Sequence, residues 1–184
     1  VASGLKEERK VIISRKAIAE LRRFLHNGDE AVRINLGKNH VLFAAGEVEF
    51  LTRMIEGTYP NYEQVLPTGN DKTLTADCEA LARALRRVSI MSKERSNAVR
   101  VDLEAKNMII TTSNPDLGEA KDEVSVALAG GPVTIAFNAR YLLDALNAMD
   151  GENVVVKLKE ALNAVLLLEQ DRDDYKCVVM PMRV

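Results

Sequence analysis

The stretch VTIAFNARYLLDALNAMDGENVVVKLKEALNAVLLLE, residues 133–169, carries the plan of the chain. It opens on a short apolar strand ending at Asn138. That residue type suits a helix N-cap, because its side-chain oxygen accepts a free N–H of the first turn. A helix of about three turns is expected next, with Leu142, Leu146 and Met149 on its buried face and Gly151 as its stop. Two alternating strands follow, with Val154, Val156 and Leu158 on one face and the polar KEALN at the turn. Residues 11–45, VIISRKAIAELRRFLHNGDEAVRINLGKNHVLFAA, repeat this plan. Their cap is Ser14, their helix positions Ile18, Leu21 and Leu25, their stop Gly28, their strand positions Val32, Ile34 and Leu36, and their turn GKN. Matching positions lie about 120 residues apart, the length of a small domain.

The residues between the copies complete one module. KTLTA (72–76) reads as a strand, DCEALARALRRVSIMS from Asp77 as a helix, AVRVDLEAKNMIITTSN as a hairpin turning at 105–107, and AKDEVSVAL as a further strand. A module is thus strand, helix, hairpin and strand, followed by the same again. The one strong break is GTYPNYEQVLPTGNDK, residues 57–72, where Pro and Gly cluster. The expected architecture is α+β, a repeated helix plus antiparallel sheet module present one and a half times. Residues 1–60 would be a half module and 61–184 a complete one. The chain begins without Met, and the expectation is an excised piece whose half module has lost its partner strands, leaving apolar surface and sheet edges bare.

Composition narrows the chemistry. At 184 residues, 47% hydrophobic and 28% charged with a net charge of −2, the chain reads as ordinary globular and cytoplasmic. No window approaches the run of about 18 apolar residues that a membrane span needs, and the first residues lack a signal-peptide apolar region. Cys78 and Cys177 have neither metal-ligand nor disulfide-framework spacing, as expected for reduced thiols. Absence of Trp and 4% aromatics argue against a base-stacking platform. No phosphate-cradling glycine motif is present. His26 and His40 stand beside turns without ligand partners, Asp173 and Asp174 read as a solvated turn, and Ser89 and Ser92 lack a nucleophile elbow. No enzyme activity, metal or cofactor is expected.

A basic stripe is expected instead. On the helix from Asp77, Leu81, Leu85 and Val88 share one side, and Arg83, Arg86 and Arg87 fall opposite within an arc of about 100°. On the first helix Lys16 and Arg23 share a face away from Ile18 and Leu25, with Arg15 and Arg22 beside them, while Arg140 shares its face with Asp144. Each stripe alone reads as a solvated face; repeated stripes also fit a surface that follows phosphates without reading bases. The chain closes on YKCVVMPMRV, a strand over residues 175–179 and then an apolar hook. Two readings stand: a last strand tucked into a sheet, or Met180, Pro181 and Met182 lining a surface groove.

VIISRKAIAEL, TYPNYEQVLP, FNARYLLDALNAM and VVMPMRV together resemble the bacterial DNA polymerase III beta subunit family, the replicative sliding clamps, over essentially the whole chain. The resemblance implies a DNA-clamp fold in which three modules per chain close head-to-tail, as a homodimer, into a ring around double-stranded DNA. This chain would then hold the second half of the middle module and the complete last one. The resemblance further implies a groove for short motifs of the polymerase III catalytic subunit, the clamp loader and repair proteins. Its residues here would be Pro60, Val65, Asn138, Tyr141, Leu162, Val178, Met180, Pro181, Met182 and Arg183. Gln64 stands where the family commonly has Arg, Val184 where it has Leu, and a groove loop of the family would lie upstream of Val1.

DNA-facing residues would be Arg15, Lys16, Arg83, Arg86 and Arg87, and the ring seam Ile90, Met91, Asp116, Glu119 and Asp122. Without a first module this chain would not close the ring, and a monomer or non-native dimer is expected. The function implied is that of a processivity factor, with a peptide-motif adaptor lacking DNA function as the alternative.

Overall fold

A computed structural model describes residues 9–25, 31–92, 97–172 and 174–183, so that His26, Gly28, Asp173 and Val184 lie outside the described residues. The chain divides into two compact units, Val1–Asn61 and Tyr62–Val184. The first contains α1 (Arg15–Phe24) and strands β1 (Arg33–Leu36), β2 (His40–Ala45) and β3 (Val48–Arg53), which form a sheet in that order. The second begins with a 3-10 turn, Tyr62–Gln64. It continues through β4 (Lys72–Asp77), α2 (Cys78–Ser89), β5 (Ala98–Leu103), β6 (Asn107–Asn114) and β7 (Gly118–Ala129). The same succession then returns as β8 (Val133–Asn138), α3 (Ala139–Leu146), β9 (Asn153–Leu158), β10 (Val165–Glu169) and β11 (Lys176–Val179).

Side-chain caps start each of the three helices among the described residues. Ser14 accepts from the Ala17 N–H (3.2 Å), Asp77 from Ala80 (2.6 Å) and Asn138 from Arg140 (3.0 Å). In the second unit the strands make one antiparallel sheet, ordered β11-β10-β9-β4-β7-β6-β5-β8. Each copy lends its leading strand to the other: β4 pairs with β9, and β8 with β5. The long β7 joins the halves, its residues 118–125 pairing with β6 and 126–129 with β4.

The crossed pairing places both helices over one core. Leu81, Leu85 and Val88 of α2, at the expected spacing, and Leu142, Ala145 and Leu146 of α3 are buried. They share a cluster with Leu74, Val99, Val101, Ile110, Val154, Leu158, Val165 and Leu167. Burial of such side chains stabilises by about 1.5–3 kcal/mol each.

α3 is shorter than the expected three turns and ends at Leu146, four residues before Asp150 and well short of Gly151. Gly151 has another role. A Cβ there would lie 2.7 Å from a carboxylate oxygen of Glu169, so glycine is needed for close approach rather than for helix termination. Glu169 is only 4% exposed, and Arg172 Nη1 donates to it at 3.1 Å. Arg172 also pairs with Asp174 (2.9 Å) and Asp150 (3.4 Å). The turn expected to be merely solvated is therefore an ion cluster over a buried carboxylate.

The first unit holds one copy of the motif, and its burial departs from expectation. The predicted strand before Ser14 is a single bridge, Ile12 to Ile55. Ile18, expected in the core, is 41% exposed; Ile34 is also exposed, and Leu21 and Leu25 are half-buried. Among the described residues of α1 only Ala17 is buried. The reason is geometric: α2 and α3 cover each other beneath a two-copy sheet, whereas α1 has one three-stranded sheet. Its small core is Val41, Phe43 and Ala44, with Phe50 bridging Phe43 and Phe24 at ring separations of 6.4 and 5.9 Å.

Leu85 is 1% exposed, so Leu85→Ala should lower the unfolding free energy by about 3 kcal/mol, and Ile18→Ala by less than about 1 kcal/mol, in urea titrations. The hydrogen bond from Arg172 holds the Asp174 carboxyl below its usual value of 3.8. A depressed carboxylate stabilises the fold above its unfolded value, and that contribution fades as pH falls through the folded one. The thermal midpoint should therefore drop with acidification below about pH 4, less steeply in Asp174→Asn.

Candidate functional site

The two copies in the second unit differ in how the last strand meets the leading one. In the first, the end of β7 runs along β4 for four residue pairs. The equivalent pairing in the second would lay the end of β11 along β8, but β11 stops at Val179. Pro181 has no N–H to offer a ladder. Among the described residues only Met182 reaches across, its N–H donating to the Ala136 carbonyl at 2.7 Å as an isolated bridge. Beside this broken pairing lies a cleft of about 450 Å³ lined by Arg100, Thr134, Ile135, Ala136, Ala161, Leu162, Met182 and Arg183.

Three of the residues expected in a groove, Leu162, Met182 and Arg183, converge on this cleft. Val178 lies in β11 opposite Leu166, and Met180 is exposed without lining the cleft. Pro181 is half-buried beside it in sequence. The Asn138 side chain is taken up by its helix cap, and Tyr141 is exposed on the first turn of α3. Val65 is exposed just after the 3-10 turn, and Pro60 belongs to the first unit. The closing segment thus divides between the two readings of its sequence: β11 is tucked at the sheet edge, and the residues after it are only partly covered.

Sequence reasoning missed Arg100, Thr134, Ile135, Ala136 and Ala161. Arg100 Nη2 pairs with Asp102 at 2.9 Å, and the Thr134 hydroxyl donates to the same carboxylate at 2.5 Å. The hydrogen bond from Arg100, aided by Thr134, holds the Asp102 carboxyl low. Alternation in AVRVDL puts Arg100 and Asp102 on the outer face, but only the β5–β8 register sets Thr134 opposite Asp102.

The arginines of α2 are exposed as expected, and each is engaged. Arg83 pairs with Glu79 (3.2 Å), Arg86 donates to the Asn147 side chain (2.6 Å), and Arg87 pairs with Asp122 (2.6 Å). That hydrogen bond lowers the Asp122 pKa. Arg15 and Lys16, on the first turn of α1, are exposed and have no side-chain partner among the described residues. Of the residues expected at a ring seam, Ile90 is 76% exposed just past α2, Met91 is half-buried, and Asp116 and Glu119 are exposed. Asp122 is partnered within its own unit.

Among the described residues no group of three or more His, Cys, Asp or Glu could hold a metal ion, and no helix is long and apolar enough to cross a membrane. Cys78 and Cys177 are free thiols whose pKa values burial pushes up, which disfavours the reactive thiolate.

Comparison with known proteins identifies the family. Residues 63–183 match the family of the DNA polymerase III beta subunit, C-terminal domain, and residues 1–61 match its central domain. The beta sliding clamp of Pseudomonas putida is 39% identical over 178 residues, 97% of this chain and 48% of that protein. A crystal structure of the DNA polymerase III subunit beta from Pseudomonas aeruginosa matches with a TM-score of 0.90 at 38% identity, over 97% of this chain and 49% of that one. A sliding clamp from the same species, bound to griselimycin, matches with a TM-score of 0.86 at 40% identity, over 95% of this chain and 47% of that one. The chain spans about half the length of the relatives it matches. Two copies of the strand–helix–three-strand motif in one unit, the helix and three strands of a third in the other, and these likenesses place the chain in the bacterial DNA polymerase III beta subunit family, the beta sliding clamps.

Proposed function

We propose that this chain is the partner-holding part of a sliding clamp, the second half of the central module followed by the complete last module. In this reading the full protein encircles duplex DNA as a homodimeric ring and tethers the polymerase III catalytic subunit, the clamp loader and other motif-bearing partners. The observation that carries it is the broken pairing at β8, which leaves a cleft lined by Leu162 and Met182 together with Arg183. An adaptable apolar floor beside an unpaired strand edge suits a short extended motif, whose side chains fill the floor while its backbone meets polar groups. Tethering by topology needs no reacting group, so the protein works without catalysis.

Sliding asks for phosphate attraction without a tight grip. The α2 arginines, shared with Glu79, Asn147 and Asp122, offer a softened positive surface, and Arg15 and Lys16 offer exposed charge with no partner among the described residues. Ile90, Met91, Asp116 and Glu119 would meet the neighbouring subunit in the ring.

A fluorescent peptide, Gln-Leu-Ser-Leu-Phe, should bind this chain saturably, and Met182→Ala should weaken it about tenfold. Binding unchanged by that substitution would move the site elsewhere. Duplex DNA affinity should be weak, indifferent to sequence, and fall steeply between about 50 and 200 mM salt. The double substitution of Arg15 and Lys16 by Ala should reduce the salt slope by about two, and Arg83→Ala by less than one. A groove that binds peptide on a chain with no salt-dependent DNA affinity would favour an adaptor without DNA function.

A further inference from the structure

The unfinished pairing at β8 has a counterpart in the first unit. Ile12 stands two residues before the cap Ser14, as Ala136 stands two before the cap Asn138. The Ile55 N–H donates to the Ile12 carbonyl at 2.9 Å, as that of Met182 donates to Ala136 at 2.7 Å. Each contact is an isolated antiparallel bridge made just after the last strand of its copy, β3 or β11. Each also borders a cleft. That of the first unit measures about 320 Å³ and is walled by three short segments: residues 9–12 before the cap, 36–39 at the β1–β2 turn and 54–57 after β3. The cleft at β8 draws on the same three places, residues 134–136, 161–162 and 182–183, together with Arg100.

The first-unit cleft has a fixed frame. The Met54 N–H donates to the Asn39 carbonyl at 2.8 Å, and Gly37 and His40 close the turn through a backbone bond of 2.8 Å. Residues 54 and 55 are thus pinned to both of the other walls. Val11, Ile12, Leu36, Met54 and Ile55 give the cleft apolar surface.

Its charge differs from that of the cleft at β8, where Arg100 is already held by Asp102. Arg9, Lys10 and Lys38 line the first-unit cleft against one carboxylate among its described residues, Glu56, which Arg53 engages at 3.4 Å. Arg9 and Lys38 are exposed and have no side-chain partner among the described residues. Apolar walls beside a strand segment held by a single bridge suit an extended peptide, and the surrounding cations favour acidic side chains on it. A phosphate backbone would use the cations but not the apolar walls.

We infer that the first unit carries a second peptide-docking cleft, at Ile12, Lys38 and Ile55, which takes an extended segment with apolar side chains and acidic flanks. The inference rests on the peptide reading of the cleft at β8 and extends it to the equivalent place in another copy of the motif.

The test uses the full chain, labelled for amide nuclear magnetic resonance, and two peptides. One is Gln-Leu-Ser-Leu-Phe flanked by two aspartates at each end, and the other has serines in their place. The acidic peptide should shift the amides of Ile12, Lys38 and Ile55 saturably, as well as those of Ala136 and Met182. At about 50 mM salt the serine peptide should bind the first-unit cleft about fivefold more weakly, the size of an exposed ion pair, and the difference should vanish at about 1 M salt. Lys38→Glu, in an exposed turn, should abolish the acidic preference at Ile12 and Ile55 and leave the shifts at Ala136 and Met182 unchanged. Shifts confined to the cleft at β8 overturn this inference and leave the reading of that cleft intact. An acidic preference that survives Lys38→Glu overturns it as well. Shifts at neither cleft sink both readings. Duplex DNA that shifts Ile12, Lys38 and Ile55 where the acidic peptide does not would assign the cleft to nucleic acid and overturn the inference.

Discussion

The exchange of leading strands between two copies of one motif governs the second unit. β4 pairs with β9 and β8 with β5, so neither copy completes its sheet without the other. Each exchanged strand runs directly into a capped helix, at Asp77 and at Asn138, and the exchange therefore delivers α2 and α3 to the same side of the sheet. Their apolar faces then meet each other and the inward residues of both halves. The first unit shows the motif with a single copy: the same pattern of caps and apolar spacing leaves Ile18 and Ile34 exposed. Burial here belongs to the pair of copies, because an amphipathic face is stabilised only by what covers it.

A departure from that symmetry makes the cleft. β7 has twelve residues and serves two neighbours, whereas β11 has four, and Pro181 follows soon after. Where β7 would have a counterpart lying along β8, there is one bridge at Met182 and a hollow beside it. A strand edge without a ladder keeps unpaired backbone groups available, and edges of this kind are natural templates for an extended segment. The apolar side chains around it supply the area that a backbone contact alone lacks. The proposed use of the site thus follows from a strand pairing that the repeated motif leaves unfinished.

Charge is arranged with similar economy. The α2 arginines keep their positive ends outward while neighbouring Glu79, Asn147 and Asp122 take part of their hydrogen-bonding capacity. Exposed pairs of this type contribute little to stability and leave much of the long-range field in place. On the outer face the pair Arg100–Asp102 is tied across strands by Thr134, which fixes a guanidinium in the wall of the cleft. Basic groups on α2 and on the outer face stand beside acidic partners, so the net value of −2 says little about either surface.

What the sequence determined by itself is local. Ser14, Asp77 and Asn138 announce helix starts because a cap is a contact across three residues, and alternating apolar residues announce strands because the pleat has a period of two. The repeated motif was legible on the same terms; Leu162, Met182 and Arg183 were expected together through the family resemblance, and they line one cleft. Tertiary structure alone decided which apolar faces are covered: Leu142 is buried and Ile18 is not, although both occupy the same place in the pattern. It also decided that Gly151 yields space to Glu169, that Arg172 guards that carboxylate, and that Thr134 meets Asp102. Each of these joins residues distant in the chain. Periodicity records which way a side chain points, but register and coverage, set by elements far away in sequence, determine what it meets.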